Sequence, residues 1–185
     1  MIAKARAEAK QAAATAAAPR TEEEQAELDD RLSKAAWFGE LEEAERLLGA
    51  GADPEARQQD IFGATPLIRA AKAGHTTIMR LLLSNGATVS CRDNSGWLAS
   101  HWAASFGKVE ALGVLTEHGA DLTKRTTEGW TPHDVAAMKG KAAVVEYLES
   151  LPSASTATPS RAAAAAAAVT GRDDPKKGAQ RALGF

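Results

Sequence analysis

Apolar residues along this chain gather in short stretches whose spacing is helical, and each stretch is closed by glycine. In "TPLIRAAKAGH" a Thr-Pro pair precedes an apolar run that Gly74 ends, and a second run with Ile78, Met79, Leu81, Leu82 and Leu83 follows until "NGA" stops it. Proline fits the first turn of a helix, where its missing N–H costs nothing, and glycine closes one by adopting a backbone conformation that a β-carbon resists. Helices of about ten residues are marginal in isolation. Each must therefore bury its apolar side on a partner helix and on a neighbouring pair, and the small Ala70 and Ala71 let those neighbours approach.

The pattern repeats. Gly74, Gly107 and Gly140 lie 33 residues apart, as do Gly63, Gly96 and Gly129, and Gly86 and Gly119 keep the same interval. The stretches "LASHWAASFGK" and "TPHDVAAMKGK" echo the first, and "LTEHGAD" echoes "LLLSNGAT". A fainter copy, "LSKAAWFGELEEAERLLGAGAD", comes first, with Gly39 and Gly51 placed 35 residues before Gly74 and Gly86, so the first loop holds two extra residues within "PEARQQD". A fixed period of this length marks a stack of helical units whose stability is a sum over nearest neighbours.

The period, the Thr-Pro start, the paired alanines and the Gly-Ala-Asp end resemble ankyrin repeats over about Leu32 to Ser150. The resemblance implies an all-α solenoid of stacked helix–turn–helix units joined by β-hairpin-like loops. Four repeats are expected, at 21–59, 60–92, 93–125 and 126–151, the first and last acting as caps, with an alanine-rich tail at 1–20 and another at 152–185. In the first repeat Thr21 and Glu24 offer a capping box for a helix from about Glu22 to Trp37. The third repeat departs from the pattern: Leu98-Ala99-Ser100-His101 replaces Thr-Pro-Leu-His, putting serine in a leucine position, and in the fourth His133 takes that position. A polar group there must find a bond or stay partly wet, so the second half of the stack is expected to be the looser one. Glu149 stands where a second leucine is usual, as suits a last helix facing water.

For function, the resemblance implies a protein-binding module. Of nine aromatic residues, Phe62, Trp97 and Trp130 stand beside the hairpin-tip glycines, Trp37, Phe38 and Phe106 follow the paired alanines, and Trp102 just precedes such a pair. In ankyrin-like stacks those positions line the concave face. Tryptophan is favoured at binding hot spots because it buries a large area with few rotatable bonds. A groove built from Trp37, Phe38, Phe62, Trp97, Trp102, Phe106 and Trp130, with Arg69, Lys72 and Lys139 as polar neighbours, is therefore the expected protein-binding site. The alternative for the tip tryptophans is packing on adjacent hairpins, and for Trp102 a place in the core between repeats.

Charge and chemistry narrow the classes. The formal net charge is −2, which gives no overall attraction to nucleic acid or anionic membrane. Thr21 to Arg46 carries ten acids against three bases, a net of −7, while residues 1–20 and 151–185 come to +3 each. That acidic edge is a solvated helix face, or it draws basic tails or a basic partner. No apolar run is long enough to cross a bilayer. Cys91 is the single cysteine, so no internal disulfide forms and a reducing, cytoplasmic location is expected. The basic N-terminal segment bears a faint likeness to an organelle transit peptide. Its alanine-rich sequence, like the run of seven alanines near the other end, favours helix, and "RALGF" offers a short docking peptide. The four histidines sit at helix ends or signature positions without ligand spacing, and no phosphate loop or nucleophile elbow occurs. The chain is thus expected to be no enzyme and to need no cofactor, metal or small molecule. It reads as an adaptor or structural subunit of a larger protein assembly, or alternatively as a free inhibitor masking the active surface of an enzyme, transcription factor or filament end.

Overall fold

The computed structural model describes residues 20–57 and 62–151. Among these residues the chain forms eight helices: α1 (Glu22–Phe38), α2 (Leu41–Gly49), α3 (Pro66–Ala73), α4 (Thr76–Ser84), α5 (Ala99–Ser105), α6 (Val109–Glu117), α7 (Pro132–Met138) and α8 (Ala142–Ser150). They make four pairs. The alanine-rich tails, the docking peptide and the middle of the first loop, where two extra residues are expected, lie outside the described residues.

The starts of α1, α3 and α7 are chemically explicit. The Thr65 hydroxyl accepts from the Ile68 N–H and the Thr131 hydroxyl from the Asp134 N–H, each with proline next in sequence. In α1 the capping box forms in full: Thr21 Oγ1 accepts from the Glu24 N–H at 3.2 Å, and Glu24 Oε2 accepts from the Thr21 N–H at 3.1 Å. The third repeat lacks both threonine and proline, yet its helix start is still satisfied. His101 Nδ1 accepts from the Leu98 N–H at 3.2 Å, so the histidine side chain does the acceptor's work. Gly39 and Gly74 end α1 and α3 in the left-handed region, at φ 86° and 91°.

The odd-numbered helices stack on one another more closely than the even-numbered ones do. A stack whose two layers differ in spacing must curve, which puts the odd-numbered, inner helices and the hairpins beside them on the concave side. The close layer is made possible by alanine: Ala35, Ala36, Ala70, Ala71, Ala103 and Ala104 are all buried. In the last repeat Ala136 is buried while Ala137 is exposed, because among the described residues no further inner helix stacks on it. The outer helices supply most of the larger apolar groups, with Leu47, Ile78, Met79, Leu82, Leu112, Leu115 and Val144 fully buried. Each such side chain contributes roughly 1.5–3 kcal/mol of hydrophobic stabilisation. On the outer surface Arg80 of α4 pairs with Glu117 of α6.

The two polar replacements at the leucine position behave differently. Ser100 is buried. His133 stays partly wet, its side chain 40% exposed and its Nε2 3.3 Å from Glu149 Oε1 on α8. A terminal repeat can leave that position polar because water reaches it. Glu149 itself is exposed.

Candidate functional site

The hairpin ahead of α5 is held by Asp93, which is 5% exposed. Its Oδ1 accepts from the N–H groups of Ser95 and Trp97, both at 2.9 Å. Its Oδ2 accepts from Trp102 Nε1 at 2.7 Å. The carboxylate thus closes the turn and fixes the indole of the following helix. One period later Thr126 replaces it, its hydroxyl accepting from the Trp130 N–H at 3.2 Å. Arg92 Nη1 and Arg125 Nη1 brace their own hairpins by donating to Gly96 O at 2.6 Å and Gly129 O at 2.8 Å, and successive hairpins are latched together where Arg92 Nη1 also donates to Arg125 O at 2.9 Å and the Asn94 N–H donates to Phe62 O at 2.8 Å.

His101 completes this scaffold. Its Nδ1 accepts from Leu98, so Nε2 bears the proton and donates to Lys124 O at 3.1 Å and Trp130 O at 3.0 Å. Burial lowers its pKa to about 4, against the two carbonyl contacts, which act in the opposite sense. The imidazole is neutral at physiological pH and ties the third repeat to the fourth.

On this base the aromatic side chains meet. Trp102 is the centre: Trp97 lies 4.9 Å from it between ring centroids, Phe106 6.2 Å, and Phe62 6.4 Å in an edge-to-face arrangement. Lys72 reaches in from α3, its Nζ 4.5 Å from the Trp102 ring centroid, 5.2 Å from Trp37 and 5.3 Å from Phe106. All three distances fall within the range of a cation–π contact, about 6 Å. Three repeats therefore converge on one ammonium group.

The structure joins Trp37, Phe62, Lys72, Trp97, Trp102 and Phe106 of the expected groove. Trp102, for which core packing was the alternative, is half-buried and bridges the others. Phe38 ends α1 and is 67% exposed, and Phe62 and Phe106 are 44% and 45% exposed. Trp130 stands apart from the ring cluster, its backbone carbonyl serving His101. Arg69 lies one turn before Lys72 on α3, and Lys139 is exposed just beyond α7. Asp93 was not singled out in the sequence, although an Asp three residues before a turn glycine is a known turn signal.

The other reactive groups are engaged in structural contacts. His75 Nε2 lies 3.1 Å from Trp37 O, and His118 Nδ1 2.9 Å from Val114 O. Cys91 Sγ is 2.7 Å from Glu55 Oε2, and burial together with that carboxylate pushes the thiol pKa up to about 11. Among the described residues no three His, Cys, Asp or Glu side chains gather where they could hold a metal ion, and no helix is long and apolar enough to cross a membrane.

The family model described as "Ankyrin repeats (3 copies)" matches residues 32–126. The chain is similar to the human transient receptor potential cation channel subfamily A member 1, 37% identical over 82 residues that make up 44% of this chain and 7% of the channel. It is 38% identical over 82 residues to human SH3 and multiple ankyrin repeat domains protein 2, covering 44% of this chain and 4% of that one. Mouse 2-5A-dependent ribonuclease is 41% identical over 68 residues, 37% of this chain and 9% of the ribonuclease. The chain thus spans less than a tenth of the length of each of these relatives. Ankyrin repeats are generally non-enzymatic modules of protein–protein interaction. With four stacked helix pairs, the glycine period and the family match in agreement, the chain belongs to the ankyrin repeat family.

Proposed function

We propose that this protein is a non-enzymatic adaptor, or a structural subunit of a larger protein assembly, that grips one partner protein through its concave face in a reducing, cytoplasmic compartment. The observation that carries this reading is the meeting of Trp37, Trp102 and Phe106 on Lys72 and of Phe62 and Trp97 on Trp102, with Phe62 and Phe106 each left almost half exposed. Rings held in place by Asp93 and by each other lose little conformational freedom on binding, which is what a hot spot requires.

Affinity capture from native extract with wild type and with the Phe62→Ala/Phe106→Ala double variant tests it. A partner held by the concave face should bind the variant at least about 30-fold more weakly, the size of a hot-spot loss of 2 kcal/mol. Equal capture by both proteins, with unchanged circular dichroism, would sink the concave-face reading and turn attention to the tails. Gel filtration of the extract separates this reading from the alternative of a free inhibitor: an assembly subunit elutes with its complex, and an inhibitor elutes largely alone.

A further inference from the structure

Among the described residues, Lys72 is held by rings and by no carboxylate: its partners are the faces of Trp37, Trp102 and Phe106. A cation–π contact is made with a ring's quadrupole, so it holds the ammonium in place without cancelling its charge. The carboxylate joined to the same cluster, Asp93, is turned inward, buried and committed to three N–H donors. On α1, Asp30 is bound by Lys34 at 2.6 Å. Between α1 and α2, Glu43 accepts from both Arg31 and Arg46. The face therefore presents a fixed positive charge over an aromatic floor, with the exposed edges of Phe62 and Phe106 beside it.

We propose, resting on the concave-face reading above, that the occupant is an acidic peptide segment of another protein, with a carboxylate on Lys72 and an adjacent apolar side chain on Phe62 and Phe106. The chain's own tails are the wrong sign, each carrying a net +3 in sequence. Nucleic acid is also disfavoured: affinity for it comes from neutralising many phosphates, whereas the ring cluster holds a single ammonium, enough to pair one carboxylate. A carboxylate meeting an ammonium that is already shielded on three sides forms a partly desolvated pair, which discriminates between partners better than an exposed pair does.

The test immobilises the full chain and passes over it two pools of end-blocked nine-residue peptides. One has Glu at three fixed positions and Leu, Phe, Trp, Ala or Gly elsewhere, and the other has Gln in place of Glu. Wild type should retain the Glu pool at least about tenfold better than the Gln pool, with retention falling as salt rises. Lys72→Met should lose that preference, and Lys72→Arg should keep it. Equal retention of both pools by wild type, or an undiminished preference in a folded Lys72→Met variant, overturns the proposal. If both pools bind wild type equally and both are lost with Phe62→Ala/Phe106→Ala, the acidic preference is wrong while the concave face stands. Retention of neither pool overturns the acidic preference as well, and capture from extract then judges the face separately. Should Lys72→Met fail to fold, the comparison of pools on wild type still decides the matter.

Discussion

Acid should weaken this stack through one residue, His101, and the size of the effect follows from its surroundings. The imidazole is fully buried, accepts from the Leu98 N–H through Nδ1 and donates to two carbonyls through Nε2. A second proton would have to go on Nδ1, where it would face a backbone N–H and turn an acceptor into a competing donor. The folded pKa is accordingly lowered to about 4 from an ordinary 6.5, burial being the main cause. Above pH 6.5 both folded and unfolded chains carry a neutral ring, and its contribution is intact. As pH falls from 6.5 toward 4, the unfolded chain takes up a proton that the folded chain refuses, so stability declines with pH and levels off once the folded ring is protonated. At about 1.4 kcal/mol per pH unit the interval makes a loss of about 3 kcal/mol in all, of which about 2 should be gone by pH 5. Urea unfolding at pH 7.5, 6.5, 5.5 and 5.0, compared with His101→Gln, isolates the term. Glutamine retains a donor for the two carbonyls but does not titrate, and the carboxylates common to both proteins cancel in the difference. The variant should be weaker at pH 7.5, since the Leu98 N–H loses its acceptor, and the gap should narrow by about 2 kcal/mol by pH 5. A gap that is constant with pH, or that widens as pH falls, would refute the reasoning.

Three further outcomes are expected. Gly39→Ala places a β-carbon within 2.7 Å of the His75 ring at φ 86°, so it should cost about 2 kcal/mol or more from left-handed backbone strain and displacement of the His75 contact with Trp37 O; an unchanged melting temperature would contradict this. Cys91, with its thiol pushed to about 11, should react with iodoacetamide at pH 7.5 about a hundredfold more slowly than free cysteine, and Glu55→Gln should speed the reaction; a rate near that of the free thiol would disprove the account. The Ser33 hydroxyl is buried with no hydrogen-bond partner among the described residues, so Ser33→Ala should be neutral or stabilise by up to about 1 kcal/mol in thermal unfolding, and a clear loss would show that the hydroxyl is satisfied.

How much of the site was legible depends on the distance over which each contact acts. The capping box of Thr21 and Glu24, the Thr65 and Thr131 caps and the placing of His101 in the hairpin scaffold involve groups fixed by local spacing or by the repeat itself. That aromatic residues belong to the inner helices and hairpin tips was legible for the same reason. The centre of the cluster was not. In sequence Trp102 reads as inter-repeat core as well as a groove residue, and its role follows from Asp93 nine residues earlier, which turns the indole toward Trp97 and Phe62. Trp130 occupies the tip position equivalent to Trp97 but remains apart from the ring cluster.

The sequence by itself determined the period, the start and end of most helices and the class of protein, because 33-residue spacing, Thr-Pro starts and left-handed glycines act through steric and hydrogen-bonding rules within a few residues. Tertiary structure alone decided that Lys72, 35 residues after Trp37 and 30 before Trp102, should lie among their rings. That meeting depends on how closely α1, α3 and α5 stack and on which side chains lean across the gap, quantities set by packing between repeats and absent from any single one of them.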